Sequence, residues 1–93
     1  MISYTTKIKF DRNCVGWSNN NAANQYFLDK QLQYINEVLE ARRYLYISSI
    51  YEQLGAKWNP EWKNICYLAE FGKLYYEIEY DKTNESYLIK IYQ

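Results

Sequence analysis

Leu28, Leu32, Ile35 and Leu39 recur at i, i+4, i+7 and i+11, and Phe27, Tyr34 and Val38 widen the same stripe. That spacing gathers apolar side chains on one face of an α-helix. Asp29, Lys30, Gln33, Asn36, Glu37 and Glu40 fall on the opposite face. The run Asn19-Asn20-Asn21 offers N-caps, whose side-chain oxygens accept from the first free N–H groups of a helix. Arg42 and Arg43 follow the last turn, where positive charge suits the helix dipole. The pattern predicts a helix over 21–41, roughly 30 Å long. It runs for only about two heptads, which suits a domain core better than a zipper.

A helix with one apolar face needs a surface to cover, and both ends of the chain supply strands. In residues 2–10, Ile2, Tyr4, Ile8 and Phe10 alternate with Ser3, Thr5, Lys7 and Lys9, with Thr6 as the one polar residue on the inner side. Period two with β-branched residues predicts a half-buried strand. Residues 74–80 set Leu74, Tyr76, Ile78 and Tyr80 against Tyr75, Glu77 and Glu79. After the turn signal Asp81–Glu85, Tyr87, Ile89 and Ile91 alternate with Leu88, Lys90 and Tyr92. This predicts a C-terminal hairpin. Lys7 and Lys9 face outward opposite the character of Glu77 and Glu79, so charge pairing favours the N-terminal strand lying beside 74–80. The expected fold is α+β: an antiparallel sheet of at least three strands, the long helix on its apolar face, and one or two short helices.

The middle of the chain is less decided. Residues 11–20 hold Asp11, Asn13, Gly16, Ser18, Asn19 and Asn20, which is loop chemistry, with Trp17 as a plug or an exposed anchor. Tyr44–Ile47 suits a short strand. Ser49 and Glu52 then form a capping box and Gly55 a left-handed stop, predicting a short helix. After Asn59-Pro60, the spacing of Trp62, Ile65, Cys66 and Ala69 predicts a further helix, with a strand at Ile65–Leu68 as the alternative. Helix, short strand, short helix, helix and hairpin is also the order of a winged helix. Its reading helix would carry Glu61, Lys63 and Glu70 and no Arg, which disfavours contact with phosphates and guanine edges.

Composition narrows the function. The chain of 93 residues makes one domain, residues 1–93, and contains 12 Tyr, 3 Trp, 3 Phe and no His. Without His, the commonest general base and metal ligand is missing. Codon bias also enriches Tyr, Asn, Ile and Lys together, yet so many rings cannot all fit inside so small a core. Tyr and Trp at a surface supply rigid contact area with a polar tip. The 11 basic and 11 acidic residues balance, so the chain lacks the basic excess of a nucleic-acid binder and the acidic excess of a DNA mimic. Cys14 and Cys66 form no CxxC pair, which points away from zinc and toward reduced thiols in a cytosol. No apolar run approaches a membrane span, and Met1-Ile-Ser-Tyr-Thr-Thr-Lys7 lacks the regions of a signal peptide.

Side-chain constellations add little chemistry. Ser48 and Ser49 have no base beside them. Glu77, Glu79 and Asp81 alternate along a strand, an arrangement that suits a cation, a phosphate mimic or a solvated face paired with lysines. Residues 70–85 carry a local acidic excess that could meet a basic groove.

The segment Asn24-Gln-Tyr-Phe-Leu-Asp-Lys-Gln-Leu-Gln-Tyr-Ile-Asn-Glu-Val-Leu-Glu-Ala-Arg42, continued by Tyr44-Leu-Tyr-Ile-Ser-Ser-Ile-Tyr-Glu-Gln-Leu-Gly55, resembles the C-terminal segment of an uncharacterised family of phage proteins from Gram-positive hosts. The shared features are a Tyr-Phe-Leu helix start, an Asn-x-Val/Leu-Leu centre and an aromatic-Leu-x-x-x-Val/Ile-Tyr-x-x-Leu-Gly close, over about a third of the chain. The resemblance implies origin in a phage or mobile element, and it carries no catalytic residues.

The expectation is therefore a non-enzymatic protein-binding factor: a phage-encoded inhibitor of a host defence nuclease, of anti-CRISPR type, acting in the host cytosol by covering a surface. A virion component with symmetric self-contacts is one alternative, and a winged-helix DNA-binding regulator another. The partner is a host protein or nucleoprotein complex, with neither membrane nor direct nucleic-acid binding, and homodimerisation is open. No cofactor, metal or catalytic residue is expected. The candidate partner-binding residues are Trp17, Trp58, Tyr75, Glu77, Glu79 and Tyr92, exposed aromatics and carboxylates suited to hot spots.

Overall fold

The computed structural model describes residues 5–62 and 64–93. The fold is α+β: β1 (Thr6–Phe10), α1 (Asn21–Arg42), β2 (Tyr44–Tyr46), α2 (Ile47–Gln53), a 3-10 turn at Pro60–Trp62, β3 (Cys66–Leu68), a second 3-10 turn at Ala69–Phe71, and the hairpin β4 (Tyr75–Asp81) and β5 (Ser86–Tyr92). The expected strand residues Ile2–Tyr4 lie outside the described residues.

The helix forms where the apolar stripe places it. Leu28, Leu32, Ile35 and Leu39 are all buried, while Tyr34 stays outside and Phe27 and Val38 are partly covered. Asn20 is the N-cap, and its Oδ1 accepts from the Ala23 N–H at 3.1 Å. At the other end Arg43 turns left-handed, φ 71°, and donates its N–H to Leu39 O at 2.8 Å. Asn24 is fully buried inside the first turn, a costly place for an amide unless it is bonded. Its Oδ1 accepts from the Ser18 N–H at 2.8 Å and its Nδ2 donates to Ser18 O at 2.7 Å. This pair ties the 11–20 loop to the helix. Gly16 lets the loop pass the Phe27 ring, which a Cβ there would meet at 2.3 Å.

The three long strands form one antiparallel sheet in the order β1-β5-β4. The expectation that β1 lies beside residues 74–80 is therefore corrected: β1 pairs with β5, and Lys7 sits opposite Lys90 rather than a carboxylate. The magnitudes explain the choice. A cross-strand charge pair is worth about 0.2–1 kcal/mol, whereas full burial of an Ile is worth about 1.5–3 kcal/mol. Placing β5 in the centre buries Tyr87, Ile89 and Ile91, each at most 1% exposed, against Ile8, Phe10 and helix α1.

Two local expectations also change. The capping box at Ser49 does not form; α2 begins at Ile47, directly after β2, with no side-chain cap. The Ile47 N–H donates instead to Ile65 O at 3.0 Å, so the incoming chain satisfies a helix-start donor from outside. Among the described residues of 60–71 no α-helix forms. Pro60–Trp62 is a single 3-10 turn, and Cys66–Leu68 is the alternative strand, β3, paired antiparallel with β2. Tyr67 supplies the reason. It is 2% exposed, its hydroxyl lies 2.6 Å from Thr6 Oγ1, and it donates to Ile91 O at 3.1 Å. Strand geometry aims this ring from β3 under the main sheet, opposite Leu45. A winged helix's reading helix is thereby replaced by a strand.

Candidate binding face

Residues directly opposite in an antiparallel ladder project on the same side, so the registers define the outer face of the main sheet. One row across it is Lys7, Lys90 and Glu77, the next is Lys9, Leu88 and Glu79, and Tyr92 stands beside Tyr75. Four of the six residues nominated from sequence, Tyr75, Glu77, Glu79 and Tyr92, thus come together on β4 and β5.

Their geometry is ordered. The Tyr75 and Tyr92 rings stack with centroids 5.8 Å apart and planes 24° apart, while remaining 48% and 37% exposed. Lys73 Nζ lies 5.3 Å from the Tyr75 ring centroid, and the Tyr92 hydroxyl donates to Glu77 Oε1 at 3.4 Å. Glu79 pairs with Lys90 at 3.8 Å. Beyond them Asp81 closes the hairpin turn. Its carboxylate accepts from Asn84 Nδ2 at 2.7 Å and from the Thr83 and Asn84 N–H groups at 3.0 and 3.3 Å. The Asn84 bonds, side chain first, hold the Asp81 carboxyl below its ordinary value.

The other two nominated residues lie elsewhere. Trp17 plugs the core, its ring 5.5 Å from Phe10 and 6.0 Å from Tyr87. Trp58 is likewise partly buried against the core. Of the two alternatives open to Trp17 the plug is the one that forms, and Trp58 also packs partly on the core, so neither ring joins the outer face of the sheet.

A second aromatic surface was not anticipated. Tyr34, Tyr44 and Tyr46 are each at least 40% exposed and line a cleft of about 280 Å³ with Val38, Arg42 and Glu52. Tyr44 and Tyr46 meet edge to face at 5.5 Å. Their i, i+2 spacing in a short strand was the signal, since it puts both rings on one side.

Cys14 is buried, its Sγ donates to Lys9 O at 3.7 Å, and burial raises its thiol above the ordinary value, so the unreactive protonated form prevails. Among the described residues, no three of His, Cys, Asp and Glu cluster as metal ligands, and no helix is long and apolar enough to cross a membrane. Comparison of the chain with family models, with curated proteins and with solved structures finds no match.

Proposed function

We propose that this chain is a non-enzymatic factor that binds a partner protein through the outer face of its three-stranded sheet. The observation that carries the reading is the stacked, exposed Tyr75–Tyr92 pair, flanked by Glu77 and Glu79 on the β4–β5 hairpin. Rings already held in place lose little freedom when covered. Buried aromatic anchors contribute on the order of 2 kcal/mol or more each, and carboxylates around them steer the encounter. The absence of His from the sequence and the protonated, buried Cys14 favour binding over catalysis.

The finer reading is a phage- or mobile-element-encoded inhibitor of a host defence nuclease, working in the host cytosol. Its support is the resemblance of residues 24–55 to phage proteins, together with the acidic row Glu77, Glu79 and Asp81. That row suits a basic groove that otherwise holds nucleic acid.

Affinity capture from a lysate of the bacterial host, followed by mass spectrometry, identifies the partner. Titration calorimetry with Tyr75→Ala/Tyr92→Ala then tests the face. The expected loss is at least 30-fold in affinity, in line with about 2 kcal/mol for one anchor. Unchanged affinity in a folded double variant overturns the reading. Nuclease activity that persists with the partner saturated removes the inhibitor role and leaves binding.

A further inference from the structure

β4 is an edge strand with a sheet neighbour on one side only. β1 is the opposite edge, but its outward carbonyls are occupied: Tyr51 donates to Lys7 O at 2.9 Å and Cys14 to Lys9 O at 3.7 Å. Asn36 brackets Leu74 just before β4, donating its Nδ2 to Leu74 O at 2.9 Å and accepting from the Leu74 N–H at 2.8 Å, but among the described residues no such cap lies on the main chain of Tyr75–Asp81 itself. β4 runs for 7 residues in unbroken register with β5, without a proline or a lysine. Edges are usually guarded by proline, bulges or charged side chains, because their unpaired N–H and C=O groups accept another strand; here the guards are Glu77, Glu79 and Asp81, which repel an acidic strand and admit a basic one.

The side chains along this edge define what fits. On the outer side Glu77, Glu79 and Asp81 repeat at every second position. Among the described residues Glu77 makes no ion pair; its carboxylate accepts only the long Tyr92 bond. On the inner side a groove of about 250 Å³ separates β4 from α1, with Ile78 and Tyr80 as its apolar wall and Asp29 at its rim. A second copy of the chain is a poor occupant. The antiparallel register that pairs all of β4, centred on Ile78, sets Glu77 of each chain opposite Glu79 of the other, and like charges directly opposite are destabilising.

Resting on the protein-binding reading above, we infer that β4 receives an extended segment of the partner, with Lys or Arg at alternate positions and apolar residues between. The segment adds as a fourth strand. Its main chain completes the ladder, its cations face Glu77 and Glu79, and its apolar side chains enter the groove over Ile78 and Tyr80.

The test uses the full chain and a capped seven-residue peptide alternating lysine and valine, followed by NMR. Expected results are saturable binding and at least tenfold slower hydrogen exchange at alternate amides of β4. Replacing the peptide's lysines by glutamate, or N-methylating alternate peptide amides, weakens binding at least tenfold. Glu77→Lys/Glu79→Lys reverses the preference toward the glutamate peptide. Equal binding of the N-methylated peptide shows charge attraction without strand addition and overturns the inference, as does binding that leaves β4 amides unprotected. A captured partner that depends on Tyr75 and Tyr92 but leaves β4 unprotected also overturns it, while the face reading stands. Capture indifferent to both tyrosines strikes the face reading instead.

Discussion

The two faces of the main sheet are built from the same three strands, yet they carry opposite duties. On the inner face Ile8, Phe10, Tyr87, Ile89 and Ile91 are at most 1% exposed. On the outer face the neighbouring residues Lys7, Lys9, Glu77, Glu79, Tyr75 and Tyr92 remain in solvent. Tyr87 and Tyr92 show the contrast within one strand. The first packs against Phe10, Trp17 and Tyr80. The second stacks on Tyr75 with its outer side free. Because the strand period is two, one segment can hold the fold on one side and keep charged and aromatic side chains in solvent on the other. Substitutions should therefore separate stability from binding according to the side they touch.

The largest effect is expected from the inner contact layer. Leu32→Ala removes a fully buried helix residue and should cost about 2–5 kcal/mol in urea unfolding. A cost below about 1 kcal/mol would mean that the helix does not cover this sheet face. Next, Asn24→Ala strips partners from the Ser18 N–H and carbonyl. It should lower stability by about 1–3 kcal/mol, the usual cost of orphaned buried polar groups. Tyr67→Phe removes the hydroxyl shared by Thr6 and Ile91 and should cost about 1–2 kcal/mol with the fold intact.

Outer-face changes should be nearly silent for folding. Glu77→Lys/Glu79→Lys breaks the Glu79–Lys90 pair, worth about 0–1 kcal/mol, and the long exposed Tyr92–Glu77 bond, and a native circular dichroism spectrum is the expected result. The smallest effect concerns pH. The native Asp81 carboxyl sits below its unfolded value, so it contributes stability above the unfolded carboxylate range, about pH 4. That contribution disappears as pH falls through the native value. Acid titration of the melting temperature should show a shallower decline in Asp81→Ala than in the parent chain. An unchanged acid limb would sever the link to Asn84.

Legibility followed locality. The α1 stripe, the hairpin and its inner and outer sides could be read from residues 21–42 and 74–92, because each rests on a period within one segment. Four candidate binding residues followed from that same alternation. Trp17 and Trp58 did not, since a ring in a loop carries no period to say which way it folds. Tyr44 and Tyr46 were legible as a short strand, but nothing within those three residues says that their shared side stays exposed.

The chain's own residue order determined which segments are amphipathic, which side of each is apolar, and that α1 lies between the caps Asn20 and Arg43. Only the tertiary structure decided that β5 is the central strand, that residues 66–68 pair with 44–46, and that β4 is left open. The physical reason is that main-chain hydrogen bonds accept any strand alike. Amphipathic strands with similar inner faces compete for the same neighbours, and the winner is the arrangement that buries Ile89, Ile91 and Tyr67 together.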